Sequence, residues 1–288
     1  MSAAATRASE GTGGDVLAEL RDLDRDRYLA CLLAPAEHRA DLAALYAFNA
    51  EIARLRDVVR EPMAGEIRLQ WWRDALDGPD GTRTGHPVAD ALRATIARHN
   101  LPLPALHAMI DARVFDLYDD PMGNRATFEA YAGETASALI QLACLILDPK
   151  AAAQSSDAAG HGGVAQAVAG TLLLLPQHRA RGQVFLPADL LAAIGLDRDQ
   201  FLAADRPAEV DMAIRAFAAL GREHLASARR AAGGISAANR AAFAVLGPVG
   251  PVLERADKAG HRLLESPPVP AQWRRQWWMW RALRSGRW

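Results

Sequence analysis

Apolar positions along this chain recur at three- and four-residue steps. Leu45, Phe48, Ile52, Leu55 and Val59 do so in one stretch and draw a continuous apolar face on a helix. Asn49, Ala53 and Asp57, spaced by four, make a second stripe on the same helix. Alternating β-branched runs are scarce, while Ala, Leu and Arg fill the segments between Pro and Gly breaks, so the pattern predicts an all-α fold. The helices it predicts span 16–33, 37–59, 65–77, 88–98, 103–118, 127–147, 164–175, 208–231, 237–246, 249–264 and 271–283. Pro35, Pro62, Pro102, Pro149, Pro187, Pro207, Pro248 and Pro270 fall at or just outside their ends, where a missing N–H does least harm. The Ala-, Ser- and Gly-rich stretch 148–163 reads as a loop. Helical patterning continues on both sides of it, so the expected organisation is a disordered tail over 1–14 and one domain over 15–288, ending in a Trp/Arg-rich segment at 271–288.

Composition narrows the function classes. The 33 Lys and Arg nearly cancel the 34 Asp and Glu, so no global field recommends nucleic acid as a partner. Cys31 and Cys144 both sit in apolar stretches and read as small core residues, not as a disulfide framework. Residues 1–14 have no apolar run behind Arg7 and lack the layout of a secretory signal. Uninterrupted apolar stretches fall short of the ~20 residues that span a bilayer. The expected location is the cytoplasm, with peripheral attachment at the inner face of the membrane as its variant.

Metal and nucleotide motifs are missing from the pattern. The glycines of Gly11-Thr-Gly-Gly follow no strand and precede no Gly-Lys-Ser/Thr, and His-x-x-x-His and Cys-x-x-Cys pairs are absent. The C-terminal stretch is more distinctive: Trp273, Trp277, Trp278, Trp280 and Trp288 interleave with arginines, and no acid follows Glu265. Indoles and guanidiniums mixed in this way suit a membrane headgroup layer or an anionic partner, with Trp273, Arg274, Trp277, Trp278 and Arg281 as candidate contacts. The other reading is a last helix that packs Trp273, Trp277 and Trp280 on the body. Trp71 and Trp72 read as core, although neighbours on a helix point about 100° apart.

Four blocks in order carry a resemblance. Leu45-Tyr-Ala-Phe-Asn-Ala-Glu-Ile-Ala-Arg, Gly65-Glu-Ile-Arg-Leu-Gln-Trp-Trp-Arg, Tyr131-Ala-Gly-Glu-Thr-Ala-Ser and Gly182-Gln-Val-Phe-Leu-Pro resemble the corresponding blocks of the squalene/phytoene synthase family, over roughly 26–264. The resemblance implies the isoprenoid synthase fold, a helical bundle around a central apolar cavity with two aspartate-rich helices facing each other at its mouth. In active members those carboxylates hold Mg²⁺ against a prenyl diphosphate, because a hard cation needs oxygen ligands.

This chain departs from that pattern. The first aspartate motif is degenerate, with Ala53, Arg54 and Asp57 at its positions, and the second block, Thr171-Leu-Leu-Leu-Leu-Pro-Gln-His-Arg-Ala-Arg, contains no carboxylate. Arg54, His178, Arg179 and Arg181 are instead candidates for holding an anion or a lipid phosphate. Asp57 reads more readily as a rim ion pair than as a residual metal ligand, and Asp116, Asp119 and Asp120 read as a solvated helix end, although the resemblance places Asp116 where active relatives carry an aspartate. No catalytic residue, metal or cofactor is assigned; Mg²⁺ enters only if the chain is an active prenyl-diphosphate-condensing transferase.

The block 87–146, with Ala97-Arg-His-Asn-Leu, Asp111-Ala-Arg and Tyr131-Ala-Gly-Glu-Thr-Ala-Ser, and the turn Pro176-Gln-His-Arg-Ala-Arg-Gly resemble more narrowly the family's mitochondrial complex I assembly-factor group. That resemblance implies a non-catalytic protein whose partners are respiratory complex I subunits or other assembly proteins. A non-catalytic isoprenoid- or lipid-binding protein is the remaining alternative.

Overall fold

A computed structural model describes residues 16–79, 81–267, 269–286 and 288. The expected tail at 1–14 lies outside them. Among the described residues there is no strand, and the all-α expectation holds.

The chain opens with α1 (16–23) and α2 (Arg25–Leu33). Pattern alone reads these as one helix. Asp24 separates them because its carboxylate accepts from the backbone N–H groups of Asp26 and Arg27, at 3.1 and 3.0 Å, and starts α2 as its N-cap. Then come α3 (Arg39–Ala53) and α4 (Leu55–Val58), which meet at Arg54. Next are α5 (Pro62–Asp77), α6 (Pro87–His99), α7 (Leu103–Ala112) and α8 (Val114–Leu117). Proline in the first turn of α5, α6 and α7 supplies a fixed φ where the N–H has no helical partner anyway.

α9 (Arg125–Ala132) runs through a π-helical turn, Gly133–Ser137, into α10 (Ala138–Leu147). The combined run Arg125–Leu147 is long and apolar enough to cross a membrane by length and composition, although no uninterrupted apolar stretch within it has that length. Its most apolar 18-residue window is 56% buried inside the protein, and Leu139, Ile140, Leu142, Ala143 and Cys144 belong to the core.

The expected loop at 148–163 is a second correction. α11 (Ser156–Leu173) begins within it. Its glycines permit close packing: a Cβ on Gly162 would come within 2.7 Å of Leu246, and one on Gly163 would collide with the backbone of Ser137 in the π turn. Glycine costs helix propensity, and here tertiary contact offsets it.

α12 (Leu175–Ala180) follows, then two helices the pattern does not predict, α13 (Ala188–Ile194) and α14 (Arg198–Ala203). α15 (Pro207–Ala231) packs along α11. A 3₁₀ stretch, Asn239–Leu246, precedes α16 (Val249–Ala259), and α17 (Gln272–Ser285) lies against that stretch and α2.

One contiguous apolar core includes Phe48, Phe128, Phe217 and Phe243. Phe48 meets Trp72 edge-on at 5.1 Å, and Phe128 meets Phe217 at the same distance; burying each such ring contributes about 2–3 kcal/mol. Trp71 and Trp72 divide as their angular separation requires, with Trp72 buried and Trp71 40% exposed. Cys31 and Cys144 are buried free thiols.

Asp41 ties two helices together inside this framework. From α3, its buried carboxylate accepts from Thr95 (3.0 Å) and His99 (2.8 Å) of α6, and it pairs with Arg98. A buried carboxylate is tolerable only with such partners.

Candidate functional site

A cavity of about 400 Å³ opens between α3–α4 on one side and α11–α12 on the other. The polar stripe of the second predicted helix, Asn49, Ala53 and Asp57, lines it together with Arg54. Opposite stand Gln166, Gly170, Gln177, His178 and Arg181. The two regions where the resemblance places facing carboxylates therefore do face each other.

What they present is mainly amide, methyl and guanidinium. Three carboxylates line the cavity, and each is already held by an arginine. Asp57 pairs with Arg181 at 2.5 Å, and Asp24 pairs with Arg27 at 2.7 Å. Asp116 accepts from Arg113 at 2.9 Å and from the Tyr131 hydroxyl at 2.8 Å. Arg54 and Arg56 also line the wall; Arg56 reaches out to Asp119 at 3.4 Å, and Arg54 has no ion pair among the described residues.

The Asp116 cluster is a correction to the sequence reading. Asp116 is buried, not solvated: α8 turns it inward, Arg113 donates to both Asp116 and Tyr131, and the amide of Gln183 donates to the Asp116 carbonyl at 3.1 Å. Burial pushes the Asp116 carboxyl above its usual range, and the Arg113 charge opposes that shift. The same burial raises the Tyr131 phenol. No local pattern links residues 113, 116, 131 and 183; the signals available were an Arg–Asp pair three apart and the Tyr131 block itself.

The candidate anion-binding set divides. Arg54 and Arg181 line the cavity, but Arg181 is engaged with Asp57. Arg179 points away, donating through Nε to the Leu202 carbonyl at 2.9 Å and so closing the end of α14. His178 lines the cavity but is no cation at neutral pH. Burial, reinforced by the nearby Arg181 charge, lowers its pKa to about 4, and its ring rests 4.6 Å from that of Phe185.

Mg²⁺, which the fold implies, does not fit these residues. The cation requires free oxygen ligands converging from both helices, whereas every lining carboxylate is in contact with a guanidinium and Arg54 adds repulsion. Among the described residues no three of His, Cys, Asp and Glu converge to hold a metal ion.

At the C-terminus, Trp273, Trp277 and Trp280 face outward with 64%, 53% and 42% exposure, so the reading in which they pack on the body is wrong. Trp278 does not belong with them; it is half-buried under the Arg255 guanidinium, 5.7 Å from its ring. Trp288 is buried and stacked on Phe243 at 5.4 Å.

Solved structures share this fold. Squalene synthase HpnC from Alicyclobacillus acidocaldarius superposes with a TM-score of 0.71 at 20% identity, covering 90% of this chain and 97% of that one. A dehydrosqualene synthase bound to a ligand superposes with a TM-score of 0.79 at 17% identity, covering 97% and 98%. Their identity is low enough that they speak for the fold alone. In sequence, the chain is 36% identical over 222 residues to NADH dehydrogenase (ubiquinone) complex I, assembly factor 6 of Bos taurus, covering 77% of this chain and 66% of the relative. It is 35% identical over 230 residues to the Homo sapiens protein of that name, covering 80% and 69%. The chain thus matches about two thirds of the length of these relatives. The family model for squalene/phytoene synthase matches residues 20–281, and the chain belongs to the squalene/phytoene synthase family.

Proposed function

We propose that this protein is an assembly factor for respiratory complex I, the NADH dehydrogenase, and that it acts without prenyl-transfer chemistry. The relatives it matches at 35–36% identity carry that role in their names. The observation that carries the non-catalytic half is the cavity wall, where arginines occupy each carboxylate that would have to hold Mg²⁺ against a leaving diphosphate. Its partners are then complex I subunits or other assembly proteins, met from the cytoplasmic side.

Deleting the gene should lower NADH dehydrogenase activity and leave partly assembled complex on native gels. Normal assembly in the deletion strain would sink the reading. Separately, the pure protein incubated with farnesyl or geranylgeranyl diphosphate and Mg²⁺ should release no pyrophosphate; a C30 or C40 product would make it a transferase.

A second reading rests on Arg54. An arginine without an ion pair beside a cavity of about 400 Å³ suits an isoprenoid or lipid bearing phosphate, bound and not cleaved. Native mass spectrometry of protein purified from cells would reveal such a lipid, and a consistently bare mass would remove this reading.

A further inference from the structure

We infer that α17 is a docking face for an anionic lipid bilayer. On a helix, Trp273, Trp277 and Trp280 fall within an arc of about 60°, with Arg284 inside the same arc and Arg281 and Arg274 about 40° and 60° beyond it on one flank. Met279 and Ala282, which are buried, lie on the opposite side, so the helix rests on the protein by one face and offers indoles on the other. The rings of Trp277 and Trp280 stack at 5.1 Å, and the guanidiniums of Arg274 and Arg284 lie 5.2 and 5.4 Å from the rings of Trp273 and Trp280.

Charge selects the occupant. No carboxylate lies on α17, and Arg274, Arg281 and Arg284 have no ion pair among the described residues. A protein partner would have to bring a carboxylate to each of these guanidiniums, whereas an anionic bilayer supplies negative charge across its whole surface. The phosphate and ester layer of a bilayer accepts an indole and a guanidinium at the same depth, and negative headgroups supply the missing counter-charge. The helix is also fixed in place, because Arg275 on its inner side pairs with Asp26 of α2. Asp24 and Arg27, on either side of Asp26, line the cavity, so the inner side of α17 braces the cavity's α2 wall.

This inference is independent of the assembly role. Full-length protein should float with phosphatidylcholine–phosphatidylglycerol vesicles, should stay behind with pure phosphatidylcholine vesicles, and should be released by high salt. Its tryptophan emission should shift to the blue on binding and be quenched by brominated acyl chains. The exposed triple variant Trp273→Ser/Trp277→Ser/Trp280→Ser should bind at least about tenfold more weakly. The charge variant Arg274→Gln/Arg281→Gln should lose most of the preference for anionic lipid, and both should keep the wild-type circular dichroism and melting temperature. Failure of the wild type to float with anionic vesicles, or flotation of the folded triple variant equal to wild type, would overturn it; capture of a protein by this face without vesicle binding would replace it.

Discussion

Asp57 and Arg181 lie 2.5 Å apart across the cavity mouth, joining α4 to the residue that follows α12. A magnesium ion held between these two elements would need carboxylates free of other partners. Here a guanidinium spans the gap directly, and the sole surviving acid of the first motif is occupied.

Magnesium should therefore leave the protein's Tm unchanged, because a ligand without a site on the native state cannot stabilise it. Scanning calorimetry with and without MgCl₂ tests this. Both members of the pair are about a third exposed or more, so Asp57→Asn should lower stability by no more than about 0.5 kcal/mol. A magnesium-dependent rise in Tm that vanishes in Asp57→Asn would show that the carboxylate is available to metal.

The Asp116 cluster should behave differently because it is buried. Asp116→Ala leaves the Arg113 guanidinium without its counter-charge, and we expect a loss of about 3–5 kcal/mol in urea unfolding. Tyr131→Phe removes one neutral donor and should cost about 1 kcal/mol. Equal effects from the two variants would mean that charge pairing is not what holds this corner.

Glu51 introduces a pH dependence. Burial, helped by the neighbouring Glu19 carboxylate and opposed by Arg54, raises its pKa to about 7, with His86 3.5 Å away. An acid whose folded pKa is raised binds more protons in the native state, so stability should fall as pH rises from about 4.5 to about 7. Glu51→Gln should remove that slope and gain at most about 3 kcal/mol above neutrality, at 1.36 kcal/mol per pKa unit. Urea midpoints for both proteins across this window would decide, and parallel curves would refute the assignment.

Two glycines of α11 make a matched test of close packing. Gly160→Ala meets nothing within 4 Å and should stabilise the helix by up to about 1 kcal/mol. Gly163→Ala drives a methyl into the backbone of Ser137 and should cost about 3 kcal/mol or more. Thermal unfolding of the two single variants separates these signs.

Helical class and the cavity-facing stripe Asn49, Ala53 and Asp57 were legible in the sequence because both depend on period alone. The start of α11 was not legible, since glycines that favour a loop locally are required there by contacts with Ser137 and Leu246. α13 and α14 are too short to establish a period, yet the reciprocal bonds of Asp197 and Gln200 form a capping box that was open to reading. Arg179 and Arg181, two residues apart, look equivalent on paper. Only the structure sends one to the Leu202 carbonyl and the other to Asp57. In the same way Trp278, adjacent to Trp277, faces Arg255 instead of the exterior.

The π turn at Gly133–Ser137 fixes the chain length between two sets of contacts. A π turn holds an extra residue, so its loss would leave a continuous helix but swing everything beyond it by roughly a quarter of a rotation. Tyr131 would still reach Asp116, while Leu139, Leu142 and Cys144 would turn out of the interior they now fill. Insertions and deletions should accordingly be tolerated in the connections before Arg125 and after Leu147, and rejected between them.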